Sequence, residues 1–100
     1  MDSSNIELIL VNISGTDRPG VTASLSSILA RYNAQILDIG QADIHHTLSL
    51  GILFKTTADV SGDILKDLLF KAYELNVNIR FNPIAIDEYE KWVSLQGKNR

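Results

Sequence analysis

The sequence predicts an α+β fold of the ferredoxin-like βαββαβ type, a four-stranded antiparallel sheet with two helices on one face. Three observations lead there. Stretches of alternating and continuous apolar residues give way twice to helical stripes, so the chain reads as two successive βαβ halves. A Pro19-Gly20 turn precedes the first helical stripe, and each of the two stripes stops at an asparagine, Asn33 and Asn76. Right-handed crossovers then leave one sheet with its helices together, and its opposite face bare unless something covers it.

Ile6 to Ile13 is dense in β-branched and apolar residues and runs into Gly15, so it reads as a strand. Both of its alternating faces are largely apolar, which fits a central strand in a sheet whose second face is covered. Gly15 to Gly20 is a turn into a helix, with Asp17 placed to accept orphan amides and proline tolerated in the first helical turn. Val21, Leu25, Ile28, Leu29 and Tyr32 form an amphipathic stripe that Asn33 closes. Gln35 to His45 and Leu48 to Thr56 read as two strands joined near His46-Thr47. Gly40, inside the first of these, predicts a bulge or a close backbone approach. Ser61 is the expected cap of a second helix with Ile64, Leu65, Leu68, Leu69, Ala72 and Tyr73 on one face. Val77, Ile79 and Phe81 alternate; Pro83 then interrupts, and Ile84 and Ile86 continue in the opposite phase, which marks an edge strand or a bulge. Residues 1–87 therefore form the folded domain. The polar segment 88–100 is expected to be a linker or short helix leading to a further domain, with Trp92 available to pack on a neighbour.

One hundred residues, 45% of them hydrophobic and 21% charged, suffice for one domain with a real core. A domain this small is only modestly stable and often gains from self-association. The net charge of −3, with no run of Lys and Arg, argues against nucleic-acid binding, which needs several phosphates neutralised together. No cysteine is present, so there is neither a disulfide framework nor a thiolate metal site. No apolar stretch approaches a membrane span and no signal peptide is apparent, so a cytoplasmic location is expected.

The chemistry concentrates in Gly15-Thr16-Asp17-Arg18-Pro19-Gly20-Val21. A helix start offers free backbone N–H groups and partial positive charge, which favour a carboxylate or another small anion. Gly20 lets a ligand approach the backbone, and Asp17 is placed to meet an ammonium group. Donors and a carboxylate side by side suit an amino acid. On physics alone the same residues serve equally as an ordinary helix start.

The run Ser14 to Ala23, together with Asn33-Ala34-Gln35-Ile36-Leu37-Asp38-Ile39, Ile39 to Ile44 and Thr47 to Leu53, resembles the ACT domain signature. Its wording is most similar to the amino-terminal regions of bacterial phosphoserine phosphatases, and the resemblance spans roughly residues 6 to 87. It implies a regulatory domain, not an enzyme by itself, that binds an amino-acid effector where two ACT domains meet. The implied effector is L-serine, held by Asp17, Arg18, Pro19, Gly20 and Val21, with Gln35 and Asp38 on the following strand as further polar contacts, from the same or a second copy. A homodimer or pairing with an adjacent ACT domain follows, as does a separate phosphatase domain that would carry Mg²⁺. A ligand-free pairing module and a stand-alone ACT regulator of transcription are the alternatives.

Catalysis within these residues is not expected. No Asp-x-Asp pair occurs, and Asp38 and Asp43 are five positions apart on a strand, hence on opposite faces. His45 and His46 are adjacent and read as turn residues instead of metal ligands. An acylphosphatase-like use of Arg18 lacks the asparagine that chemistry needs on the third strand, Leu48 to Thr56. Tyr32 and Tyr73 are expected in the core.

Overall fold

The structure, a computed structural model, describes residues 6–16 and 19–98. The elements are β1 (Ile6–Thr16), α1 (Val21–Arg31), β2 (Gln35–Ile44), β3 (Thr47–Thr57), α2 (Ala58–Leu75), β4 (Asn78–Ile84) and α3 (Ile86–Lys98). The sheet runs β2-β3-β1-β4 with every neighbouring pair antiparallel, as the ferredoxin-like order requires. β4 is an edge strand, where Pro83 costs no central ladder bond.

The core lies between one sheet face and the pair α1 and α2. Ile9, Val11 and Ile13 of β1 and Leu48, Leu50, Ile52 and Phe54 of β3 pack there. Val21, Leu25, Ile28 and Leu29 of α1 and Ile64 and Leu68 of α2 close the layer. Each such side chain contributes about 1.5–3 kcal/mol on leaving water, which gives this layer its hold on the fold. Tyr32 is half-buried and ties the helices together, its hydroxyl donating to Asp67 Oδ2 at 2.5 Å. Against expectation, Leu69 (55% exposed) and Tyr73 (85% exposed) turn to solvent. The buried stripe of α2 is the narrower set Ser61, Ile64, Leu68 and Ala72.

Both core helices end in the same way. Asn33 and Asn76 adopt left-handed φ of 59° and 58°. The following amides, of Ala34 and Val77, reach back to the carbonyls of Leu29 and Ala72 at 3.0 Å. Asparagine enters that backbone region more readily than most residues, and the motif satisfies orphan carbonyls.

Three local expectations need correction. The β2 irregularity falls at Leu37, between Ile36 and Asp38, while Gly40 pairs regularly with Gly51. Helix α2 begins at Ala58, a turn before Ser61, because the Ser61 hydroxyl donates inward to the Ala58 carbonyl (3.3 Å) instead of capping. Pro19 precedes the first helix and does not lie within it, since Gly20 is the residue that enters α1.

One end of the second sheet face is covered by the chain itself. Residues paired across the strands place Leu8, Leu10, Leu53 and Ile84 on that side. Leu8 is only 3% exposed although it lies outside the helix-side core. The polar tail folds as α3 and sets Tyr89 and Trp92 over this apolar end. The other end of the same face is polar, with Asn12, Ser14, Asn78 and Arg80. Among the described residues no helix is long and apolar enough to cross a membrane.

Candidate functional site

The head of α1 is the turn at Pro19 and Gly20. Gly20 sits at φ 86° and ψ 1°, and among the described residues no side chain caps the helix. A methyl group built on Gly20 would meet nothing within 4 Å, so the space over the turn is open. Ser24 donates to the Gly20 carbonyl at 2.9 Å, the first bond of the helix. The amides of Val21, Thr22 and Ala23 before it have no backbone acceptor among the described residues. No acidic residue lies in the first turn of α1.

Each residue singled out from the sequence can now be placed. Pro19 and Gly20 are exposed on the turn, whereas the Val21 side chain is core (2% exposed) and only its amide faces the turn. Asp17 and Arg18 lie outside the described residues. Gln35 begins β2, after the far end of α1, which at eleven residues is about 16 Å long. It lines a separate hollow with Ile6, Tyr32, Asn33, Lys55 and Thr57. Asp38 is carried by the irregularity at Leu37 to the α3 side of the sheet, opposite Leu53. Its Oδ1 accepts the Ile39 amide at 2.9 Å. Within one chain, then, the turn gathers Pro19, Gly20 and the Val21 amide, while Gln35 and Asp38 stand apart from it and from each other. Both lie on β2, one of the two edge strands of the sheet.

The contact that the structure does bring to the turn is Gln41. The Thr22 hydroxyl donates to Gln41 Oε1 at 2.7 Å, and Gln41 Nε2 donates to Asp43 Oδ2 at 3.2 Å. The chain Thr22–Gln41–Asp43 ties the helix head to the middle of β2 on the helix side. It was missed because the irregularity at Leu37 sets which residues of β2 face α1. The usable signal was the spacing of Gln41 and Asp43, opposite Leu50 and Leu48 on the same face.

His45 and His46 form the β2–β3 turn, at φ 53° and 66°. Paired positive φ values match the twist of a two-residue hairpin, and histidine is among the side chains that tolerate them. Their rings lie 5.9 Å apart and are exposed.

The sequence profile of the ACT domain matches residues 7–82. The chain belongs to the ACT domain family. As an ACT domain it is a regulatory unit and not a catalytic one. It is 37% identical over 60 residues to phosphoserine phosphatase SerB2 of Mycobacterium tuberculosis, covering 59% of this ACT domain chain but 15% of the phosphatase. It is 40% identical over 72 residues to UPF0237 protein MK1213 of Methanopyrus kandleri, covering 70% of this chain and 80% of that protein. In structure it matches an ACT domain protein from Streptococcus pneumoniae with a TM-score of 0.68 at 22% identity, over 82% of this chain and 94% of that one. A formyltetrahydrofolate deformylase from Pseudomonas putida KT2440 matches with the same TM-score, 0.68, at 8% identity, over 75% of this chain and 28% of the enzyme. At such identities the structural likeness is one of fold alone.

Proposed function

We propose that this ACT domain binds a small amino-acid effector, L-serine, at the head of α1, and that two ACT domains close the site between them. The observation that carries the reading is the turn at Gly20, where, among the described residues, no side chain caps the helix, three amides lack backbone acceptors and a Cβ would meet nothing within 4 Å. A carboxylate accepts from those amides and is favoured by the helix dipole. The Thr22–Gln41 bond makes binding at the turn felt on β2, the strand a second domain would meet. Asp17 and Arg18 complete the set on the turn, and Gln35 is supplied across the pairing edge. Regulation follows as linkage: the effector favours the paired arrangement and so biases whatever the pair is attached to. Partial similarity to a phosphoserine phosphatase supports a phosphatase domain as that attachment. A stand-alone ACT protein is the second reading, supported by MK1213, of which this chain covers 80%.

Calorimetry tests the proposal. L-serine is expected to bind saturably with a micromolar to millimolar Kd, the range open to so small a ligand. Sedimentation should show tighter pairing in its presence. No heat up to about 50 mM serine, a standard free energy weaker than about −2 kcal/mol, would refute it.

A further inference from the structure

We infer that the cleft between α3 and the outer sheet face is a second binding site, for a small organic ammonium compound with an apolar body. The cleft has a volume of about 330 Å³ and is lined by Leu10, Leu53, Ile84, Tyr89, Trp92 and Asp38. That volume is within the range of small-molecule sites. Leu10 and Leu53 pair across the sheet to make an apolar floor, and Ile84 on β4 extends it. Tyr89 and Trp92, a helical turn apart on α3, supply one wall, their ring centroids 6.2 Å apart and tilted by 32°. At that separation and tilt the rings line the wall side by side.

The charge in the cleft decides the ligand. Asp38 is the formally charged side chain of the lining among the described residues. One of its oxygens accepts the Ile39 amide, and no ion pair to it forms among the described residues. Lys55 shares the sheet face with Leu53 and is a lining residue of the separate hollow beside Gln35, not of this cleft. A carboxylate next to two aromatic rings and an aliphatic floor is complementary to an ammonium group on an apolar body, through a charge-assisted bond and attraction to the ring faces. A free amino acid fits less well, because no cationic side chain among the lining residues meets its carboxylate. Trp92 remains 45% exposed and Tyr89 half-buried, so the rings retain surface for an occupant to cover. This site is distinct from the effector turn and does not depend on it.

Trp92 is the sole tryptophan of the chain, so its fluorescence reports on this cleft. Phenethylamine, 2-phenylethanol and 3-phenylpropionate share one body and differ in charge. Phenethylamine should change the Trp92 emission saturably and bind about tenfold more tightly than 3-phenylpropionate. Asp38→Asn keeps an oxygen for the Ile39 amide, and should weaken phenethylamine about fivefold while leaving 2-phenylethanol unchanged. In the wild-type protein, added salt should weaken the amine and spare the alcohol. Equal affinities for amine and acid, or an emission unmoved by the amine up to about 50 mM, would overturn the assignment. Tighter binding of Nα-acetyl-lysinamide than of phenethylamine would also overturn it, in favour of a lysine side chain on a partner protein.

Discussion

One added methyl group separates the two structural roles of glycine in this chain. At Gly20, Gly40 and Gly62 a built Cβ meets nothing within 4 Å, so an alanine at any of them causes no steric clash. The three differ in backbone. Gly20 holds φ 86°, Gly62 lies inside α2, and Gly40 lies in a regular stretch of β2. For Gly20→Ala, placing a Cβ in a left-handed backbone costs about 1–2 kcal/mol, partly offset by about 0.4–1 kcal/mol from the less flexible unfolded chain. The net loss is about 1 kcal/mol, or about 4–8 °C in Tm for a domain of this size. Gly62→Ala carries the helix-interior difference with the opposite sign, a gain of about 0.8–1 kcal/mol. Gly40→Ala should gain about 0.5 kcal/mol, since a strand glycine gives up the most chain entropy. Thermal melts followed by far-ultraviolet circular dichroism, with urea titration for ΔG, measure all three. If Gly20→Ala melts at or above the wild type, the turn is not held at that φ, and the open-amide geometry of the proposed effector site goes with it.

Leu68→Ala, which empties a fully buried position of α2, should cost about 2–5 kcal/mol, read as a lower urea midpoint at unchanged m value. Tyr32→Phe removes the α1–α2 hydrogen bond to Asp67 and should lower Tm at neutral pH. Its pH dependence is the sharper test. Donation to Asp67, then burial, raise the Tyr32 pKa above its ordinary 10.0. A raised folded-state value means the stabilisation is complete below the unfolded value and is lost as pH rises through the folded one. The Tm gap between wild type and Tyr32→Phe should therefore close on the alkaline side of 10.0 and stay constant below it; a gap that widens there would refute the assignment. Ending the chain after Ala85 removes α3 and bares Leu8, Leu10, Leu53 and Ile84. Dye binding to apolar surface and self-association should both rise, whereas an unchanged monomer would show that α3 does not shield that face.

The fold was legible because its signals are local and redundant. The α1 stripe, the alternation of Leu48 to Phe54 and the two asparagine helix ends each depend on a few neighbouring residues, and they agree on one topology. Reading failed where a tertiary contact chose between local options. Leu69 and Tyr73 match the helical period as well as Ile64 and Leu68 do, but no element lies over that side of α2 to bury them. The bulge went to Leu37 and not Gly40 because glycine permits a bulge without demanding one. Asp38 pairs opposite Leu53 because of that irregularity, and no periodicity shows it. The apolar second face of β1 correctly announced a cover, yet the polar composition of residues 88–100 concealed that Tyr89 and Trp92 provide it.

That placement divides β2 into two working sides. Gln41 faces the head of α1 and Asp38, three residues away, faces the α3 cleft. The register shift between Ile36 and Asp38 sets both facings at once, so they are not independent. An effector that pulls on Thr22 and Gln41 acts on the strand that positions Asp38. Any resulting coupling must be reciprocal, because the free energy by which serine changes the affinity of the amine equals that by which the amine changes the affinity of serine. Removing the extra residue, by deleting Leu37, would leave Ile36 opposite Phe54 and Asp38 opposite Leu53 in a regular ladder, so both facings should be kept. Gln41 and Asp38 lie on the same side of the irregularity, so a one-residue slip of that segment would turn both about together. Titrating serine by calorimetry and phenethylamine by Trp92 emission against that variant separates the outcomes. Retention of both binding events agrees with this register, and loss of one with the other kept contradicts it.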